Sequence, residues 1–184
     1  MYEVEFKVEL KSEEKKLLIE NLIAEGFEFK RLTPQNDYYV KANKSEHGGY
    51  DLVRYRHEAD KYIYTEKIWE VIDGQKARKE NEHEVAKKHF DSAILQHLDA
   101  IKVIKDREWY TGKYDNKEIS VTIDSVKFDH SPKMRFFVEA EIDVENSNEV
   151  AATKVLIQEF LKFILRKSEL IDSPGMFMMA FEKR

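Results

Sequence analysis

From Tyr2 to Leu10 apolar and polar side chains alternate, with Val4, Phe6 and Val8 on one parity and Glu3, Glu5 and Lys7 on the other. That is the two-residue period of a strand with one apolar and one charged face. The same period returns along the chain and predicts strands near 1–10, 36–41, 50–57, 61–70, 77–85, 102–112, 117–128 and 134–144. Asp73-Gly74 marks a hairpin between the fourth and fifth of these, and His47-Gly48-Gly49 and Ser131-Pro132 mark further turns. Three segments switch to the helical period. Residues 12–25 have Ser12 as N-cap, acids at Glu13 and Glu14, and Gly26 as the stop. Residues 86–100 carry Phe90, Ala93, Ile94 and Leu98 along one side, and 148–166 form the most apolar helix. The pattern predicts an α+β fold: an eight-stranded antiparallel sheet, enough strands to close into a barrel, with about three helices on its outside. No linker, repeat or low-complexity tract interrupts it, so 1–184 is read as a single domain.

Composition narrows the function. Charged residues make up 36% of the chain and the net charge is −5, which argues against general nucleic-acid or anionic-membrane binding. With no cysteine there is neither a disulfide framework nor thiolate chemistry. The amino terminus enters the patterned strand directly, and no run of 18 apolar residues occurs, so a cytoplasmic, membrane-free protein is expected, monomeric or homodimeric.

The charged faces carry the chemistry. Glu3, Glu5 and Lys7 share one parity; so do Arg54 and Arg56, then Arg78, Glu80 and Glu82, then Lys105 and Arg107, then Glu139 and Glu141. Lys67 and Asp124 stand alone on the parity of Thr65 and Thr122. Together these are seven acids and seven bases. A solvated outer face would explain any single strand. It explains less well why like charges stand side by side, because like charges on one face repel. Paired carboxylates suit a hard divalent cation, and clustered Arg and Lys suit phosphate oxygens. Both together describe a metal-bound polyphosphate held in a charged interior.

These residues, in this order, resemble the CYTH superfamily, which includes class IV adenylyl cyclases, thiamine triphosphatases and inorganic triphosphatases. Glu3-Val4-Glu5-Phe6-Lys7 resembles the family's amino-terminal Glu-x-Glu-x-Lys. Arg54-Tyr55-Arg56, Lys67, Arg78-Lys79-Glu80 with Glu82, Lys105-Asp106-Arg107, Asp124 and Glu139-Ala140-Glu141 resemble its later motifs. The resemblance implies an eight-stranded antiparallel barrel called a triphosphate tunnel. It implies that Lys7, Arg54, Arg56, Lys67, Arg78, Lys105 and Arg107 hold the triphosphate. Glu3, Glu5, Glu80, Glu139 and Glu141 would hold Mg²⁺ or Mn²⁺, and Lys7, Glu82 and Asp124 would serve catalysis. The Lys105 and Glu139 motifs look closest to the class IV cyclase branch, which would convert ATP to cyclic AMP and pyrophosphate. A triphosphatase, acting on inorganic, thiamine or nucleoside triphosphate, is the alternative, and a non-catalytic nucleotide or polyphosphate binder a further one. The six histidines show no metal spacing. Trp69 and Trp109 are read as packing residues, and the Met176–Phe181 run as a tail packed on the barrel mouth.

Overall fold

The computed structural model describes residues 2–44, 46, 50–72, 75–129 and 131–181. The expected turns at Asp73-Gly74 and His47-Gly48-Gly49 lie outside them. The described residues form β1 (Tyr2–Leu10), α1 (Ser12–Ala24), β2 (Glu28–Lys44), β3 (Tyr50–Glu58), β4 (Lys61–Ile72) and β5 (Gln75–Glu84). There follow α2 (Lys87–Gln96), β6 (Ile101–Tyr114), β7 (Lys117–Phe128), β8 (Arg135–Val144), a 3₁₀ turn at Ser147–Glu149, α3 (Val150–Leu165) and α4 (Met176–Phe181). The fold is mostly antiparallel β, with helices added, as the alternating pattern predicts.

The chain divides into two compact units. The first comprises Met1–Leu32, Asp106–Val126 and Met134–Pro174. In it β8 pairs antiparallel with β1 on one side and β7 on the other, setting Glu5 opposite Glu141, Lys7 opposite Glu139 and Thr122 opposite Glu139. Asp115 and Asn116, both at positive φ, form the two-residue turn from β6 into β7. Counting back from that turn sets Arg107 opposite Asp124, and the two side chains are indeed paired. The apolar parity packs beneath α1 and α3, where Leu18, Leu22, Ile157, Phe160 and Ile164 meet Val4, Phe6, Val121 and Val138 in one core. The α1 start differs from the expected Ser12 cap. Lys11 is the N-cap, and the Glu14 carboxylate accepts its backbone N–H at 2.7 Å. Gly26 at φ +81° ends the helix as expected.

The second unit comprises Thr33–Lys105, Lys127–Lys133 and Gly175–Arg184. Here β2, β3, β4 and β5 form successive antiparallel pairs, with Asp37 opposite Arg56 and Lys67 opposite Glu80. Ile72 faces Gln75, so β4 and β5 do form the expected hairpin. β2 begins at Glu28, eight residues before the sequence pattern places it. Phe29 and Leu32 are exposed, and Pro34 offers no ladder donor, so this stretch lacks the signature of a half-buried strand. α4 is a short helix that the sequence pattern leaves unassigned, because Met-Phe-Met-Met-Ala-Phe is apolar all round and shows no period. Its Phe177 packs on Tyr39 with ring centroids 5.6 Å apart.

Candidate functional site

In the first unit the charged parity of β1, β6, β7 and β8 collects Glu3, Glu5, Lys7, Arg107, Asp124, Glu139 and Glu141. Asp124 is 1% exposed and takes Arg107 through two bonds, Nε to Oδ1 and Nη2 to Oδ2, each 2.7 Å. Arg107 Nη2 also reaches Glu139 Oε1 at 3.5 Å. Lys7 is ion-paired to the other oxygen of Glu139. Burial alone would lower the Lys7 pKa, but Glu139 and Glu5 outweigh it and push it up, so this ammonium is a fixed cation. Arg107 is likewise held charged: burial opposes it, and Asp124 and Glu139 more than compensate.

Glu141 is in the opposite situation. Its cross-strand neighbour is another acid, Glu5, and Glu139 stands two residues away. Burial, then Glu139, raise its pKa to about 7 against the pull of Arg107, and Glu5 and Asp143 add to the rise. Asp143, opposite Glu3, extends the acid parity one step beyond the recognised motif. The sequence signal was available, since 139, 141 and 143 share one period. Glu141 and Asp143 border a cavity of about 760 Å³ that Glu28, Lys113, Lys117 and Glu118 also line. On the same parity of β6 as Arg107, Trp109 has two guanidiniums near its ring, with Arg31 4.9 Å and Arg107 5.3 Å from the centroid.

A divalent ion fits this donor set in a limited way. Among the described residues no three Asp, Glu or His side chains converge as ligands for one ion. The facing pair Glu5 and Glu141 supplies hard carboxylate oxygens on adjacent strands, the donor type Mg²⁺ takes when phosphate oxygens and water complete its shell. Glu139 is already engaged by Lys7 and Arg107.

The second unit collects Arg54, Arg56, Lys67, Glu80, Glu82 and Lys105. Arg54, Arg56 and Lys105 are 5%, 6% and 3% exposed, so this is no solvated face. Arg54 Nη2 donates to Thr65 Oγ1 at 3.0 Å and to Glu82 Oε2 at 3.2 Å. Lys67 pairs with Glu80, which places Glu80 beside a base in this unit. The Arg78 and Trp69 side chains lie outside the described residues. Asp37, which no motif singled out, sits fully buried among the three cations. Its signal in the sequence was the parity Gln35, Asp37, Tyr39 on a strand next to Arg-x-Arg.

Several solved structures share this fold. The PH1819 protein from Pyrococcus horikoshii OT3 is 22% identical with TM-score 0.67, covering 100% of both chains. A conserved hypothetical protein from Pyrococcus furiosus is 22% identical with TM-score 0.69, covering 97% of this chain and 99% of its own. HpAC1 from Hippeastrum, a candidate adenylyl cyclase that reveals a dominant triphosphatase activity, is 12% identical with TM-score 0.64, covering 98% and 95%. No curated protein matches the chain. The family model described as the CYTH domain matches residues 1–172, and the chain belongs to the CYTH family.

Proposed function

We propose that this protein is a divalent-metal-dependent enzyme that cleaves a phosphorus–oxygen bond of a triphosphate, and that it acts foremost as a triphosphatase. The observation that carries the reading is the burial of like charges. Arg54, Arg56 and Lys105 are nearly inaccessible to water, and Glu5 stands directly opposite another acid, Glu141, on the β1–β8 ladder. Burying such groups is costly without counter-charges. A polyphosphate supplies anions for the first set and a divalent cation supplies charge for the second. Family membership supports reading both sets as parts of one triphosphate tunnel, an eight-stranded antiparallel barrel.

In this reading Arg54, Arg56, Lys67, Arg78, Lys105 and Arg107 neutralise and orient the triphosphate. Lys7, held protonated, stabilises charge that builds on the phosphoryl oxygens. Asp124 fixes Arg107, and Glu82 fixes Arg54. Glu3, Glu5, Glu80, Glu139 and Glu141 are the acids that would hold a metal, with Glu5 and Glu141 directly opposite one another on the β1–β8 ladder. A bound Mg²⁺ or Mn²⁺ would act as a Lewis acid toward phosphoryl oxygens. Hydrolysis forms one bond from water oxygen to the terminal phosphorus and breaks the bridging bond, giving orthophosphate and a diphosphate.

Hydrolysis is favoured over cyclisation by the surroundings of Trp109. Its ring has the Arg31 and Arg107 guanidiniums 4.9 Å and 5.3 Å from its centroid, cations that compete with a nucleobase for stacking on it. The class IV cyclase reading remains the second, supported by the Lys105-x-Arg107 and Glu139-x-Glu141 motifs. The test is incubation with Mg²⁺ or Mn²⁺ and either tripolyphosphate or ATP, with products followed by phosphorus NMR. Orthophosphate with pyrophosphate or ADP supports the triphosphatase. Cyclic AMP with pyrophosphate supports the cyclase. Absence of turnover with either substrate and either metal refutes both.

A further inference from the structure

Asp37 belongs to none of the charged motifs, yet it is 0% exposed and lies at the centre of the basic cluster. It stands directly opposite Arg56 on the β2–β3 ladder. Arg56 grips it at two points, Nε to Oδ1 at 2.6 Å and Nη2 to Oδ2 at 3.2 Å. Lys105 Nζ lies 3.4 Å and Arg54 Nη1 3.9 Å from the same Oδ2. One carboxylate therefore meets three cations. Burial would push its pKa up, but Arg56, Lys105 and Arg54 hold it well below the usual carboxylate range, so it stays charged.

Two other carboxylates touch the cluster. Glu58 Oε2 lies 3.7 Å from Arg56 Nη1 and also accepts the buried Gln35 amide at 2.5 Å. Glu82 takes Arg54 at 3.2 Å. Their side chains are 16% and 46% exposed, against 0% for Asp37. Asp37 is thus the interior member, and its two-point contact fixes the plane of the Arg56 guanidinium.

The donor count matters next. A guanidinium has five N–H donors and an ammonium three. Asp37 takes two of the five on Arg56 and lies near Lys105 and Arg54, so it meets each cation through only part of that cation's donors. Without an anchor, long Arg and Lys side chains lose their shared geometry, because three neighbouring cations repel and each regains rotamer freedom. A ligand would then have to re-order them on binding.

We propose that Asp37 is a positioning residue: its carboxylate holds Arg54, Arg56 and Lys105 at fixed spacing, so that together they receive the phosphate oxygens of the substrate. The proposal rests on the reading that these three cations bind the triphosphate. Asp37 itself touches no substrate in this scheme.

The experiment is titration calorimetry of the full chain with tripolyphosphate, on wild type, Asp37→Asn and Arg56→Lys, well below each melting temperature. Asp37→Asn keeps the side-chain shape and one acceptor but removes the charge. Its Kd is expected to rise at least about tenfold, and its melting temperature to fall. Arg56→Lys keeps the charge but cannot make the two-point contact, and its Kd is expected to rise about fivefold or more. A merely structural Asp37 would lower the melting temperature and leave Kd unchanged, which overturns the proposal. Tighter binding by Asp37→Asn also overturns it, because the carboxylate would then be a competitor of phosphate. Should Asp37→Asn not fold, an unchanged Kd in Arg56→Lys is sufficient to overturn the proposal. A wild type that binds no tripolyphosphate removes both this inference and the function it rests on. Wild-type binding with unaffected variants removes this inference alone.

Discussion

Replacing Glu141 with Gln should stabilise the metal-free protein at alkaline pH and leave it unchanged at acid pH. Glu141 is a largely buried carboxyl whose pKa rises from 4.5 to about 7, through burial and then Glu139. The shift of roughly 2.5 units corresponds to about 3 kcal/mol, at about 1.4 kcal/mol per unit. The sign follows from proton counts. Between pH 4.5 and 7 the folded protein binds the proton on Glu141 and the unfolded chain does not, so unfolding becomes easier as pH rises through that window. Below it the carboxyl is neutral in both states and costs nothing; above pH 7 the full penalty applies. Gln cannot ionise, so Glu141→Gln removes the penalty and its pH dependence together. At pH 8 the variant should melt about 6–12 °C above wild type, using 2–4 °C per kcal/mol for a chain of this size. At pH 4.5 the two should coincide within a degree or so. The assay is thermal denaturation by circular dichroism at pH 4.5, 6 and 8 in chelator. Millimolar Mg²⁺ should then narrow the gap at pH 8, because it stabilises only the wild-type carboxylate. A variant no more stable than wild type at pH 8 would refute the claim that burial and neighbouring acids penalise the Glu141 carboxylate.

Further expectations follow from the same geometry. Arg107→Ala should destabilise by about 3–5 kcal/mol, since it strands the buried Asp124 carboxylate; denaturant unfolding at pH 7 measures this, and a loss under 1 kcal/mol would contradict the buried pairing. Gly112→Ala should cost about 1–3 kcal/mol, because a Cβ there would lie 2.5 Å from the Phe27 ring, itself stacked on Phe160; a neutral effect in the same assay would show that the ring yields freely. Lys7→Met should abolish turnover, and the wild-type rate should show no alkaline limb owed to Lys7 below about pH 10, since Glu139 and Glu5 push its pKa upward against burial. A basic limb near pH 8 that vanishes in Lys7→Met would instead make Lys7 a proton acceptor.

Much of the architecture is legible in the sequence for a simple reason. Wherever one face of a strand meets a core and the other carries charge, the two-residue period is written in plain alternation, as at Val4, Phe6 and Val8 against Glu3, Glu5 and Lys7. Period fails where both faces share a character. Glu28–Pro34 mixes exposed Phe29 and Leu32 with the ion pair of Glu28 and Lys30, and reads as loop although it begins β2. The α4 run reads as a tail because every position is apolar. At the site, repeated motifs expose the residues that come in like-signed pairs. Asp37 escapes because it is a single acid whose importance depends on its cross-strand neighbour Arg56, whereas Asp143 continues the period of Glu139 and Glu141 and was legible there. Strand register is set by turns and ladders that no single segment encodes.

The two units handle charge in different ways, and the difference bears on function. In the first, a large apolar core under α1 and α3 supports a charged strand face: Lys7, Arg107 and Asp124 close a network with Glu139, and Glu5 stands opposite Glu141. In the second, polar groups are buried alongside apolar ones: Thr33, Gln35, Asp37, Arg54, Arg56, Thr65 and Lys105 are all buried, beside Tyr39, Val103 and Phe128. Buried ionic groups seldom add net stability over well-packed apolar ones. Their concentration on successive strands is therefore better explained by what they bind than by what they hold together. Asp37 bears on both demands: it lowers the cost of burying three cations and it fixes their spacing. Guanidinium and ammonium groups kept in fixed geometry and shielded from water form charge-assisted bonds to phosphate that are strong.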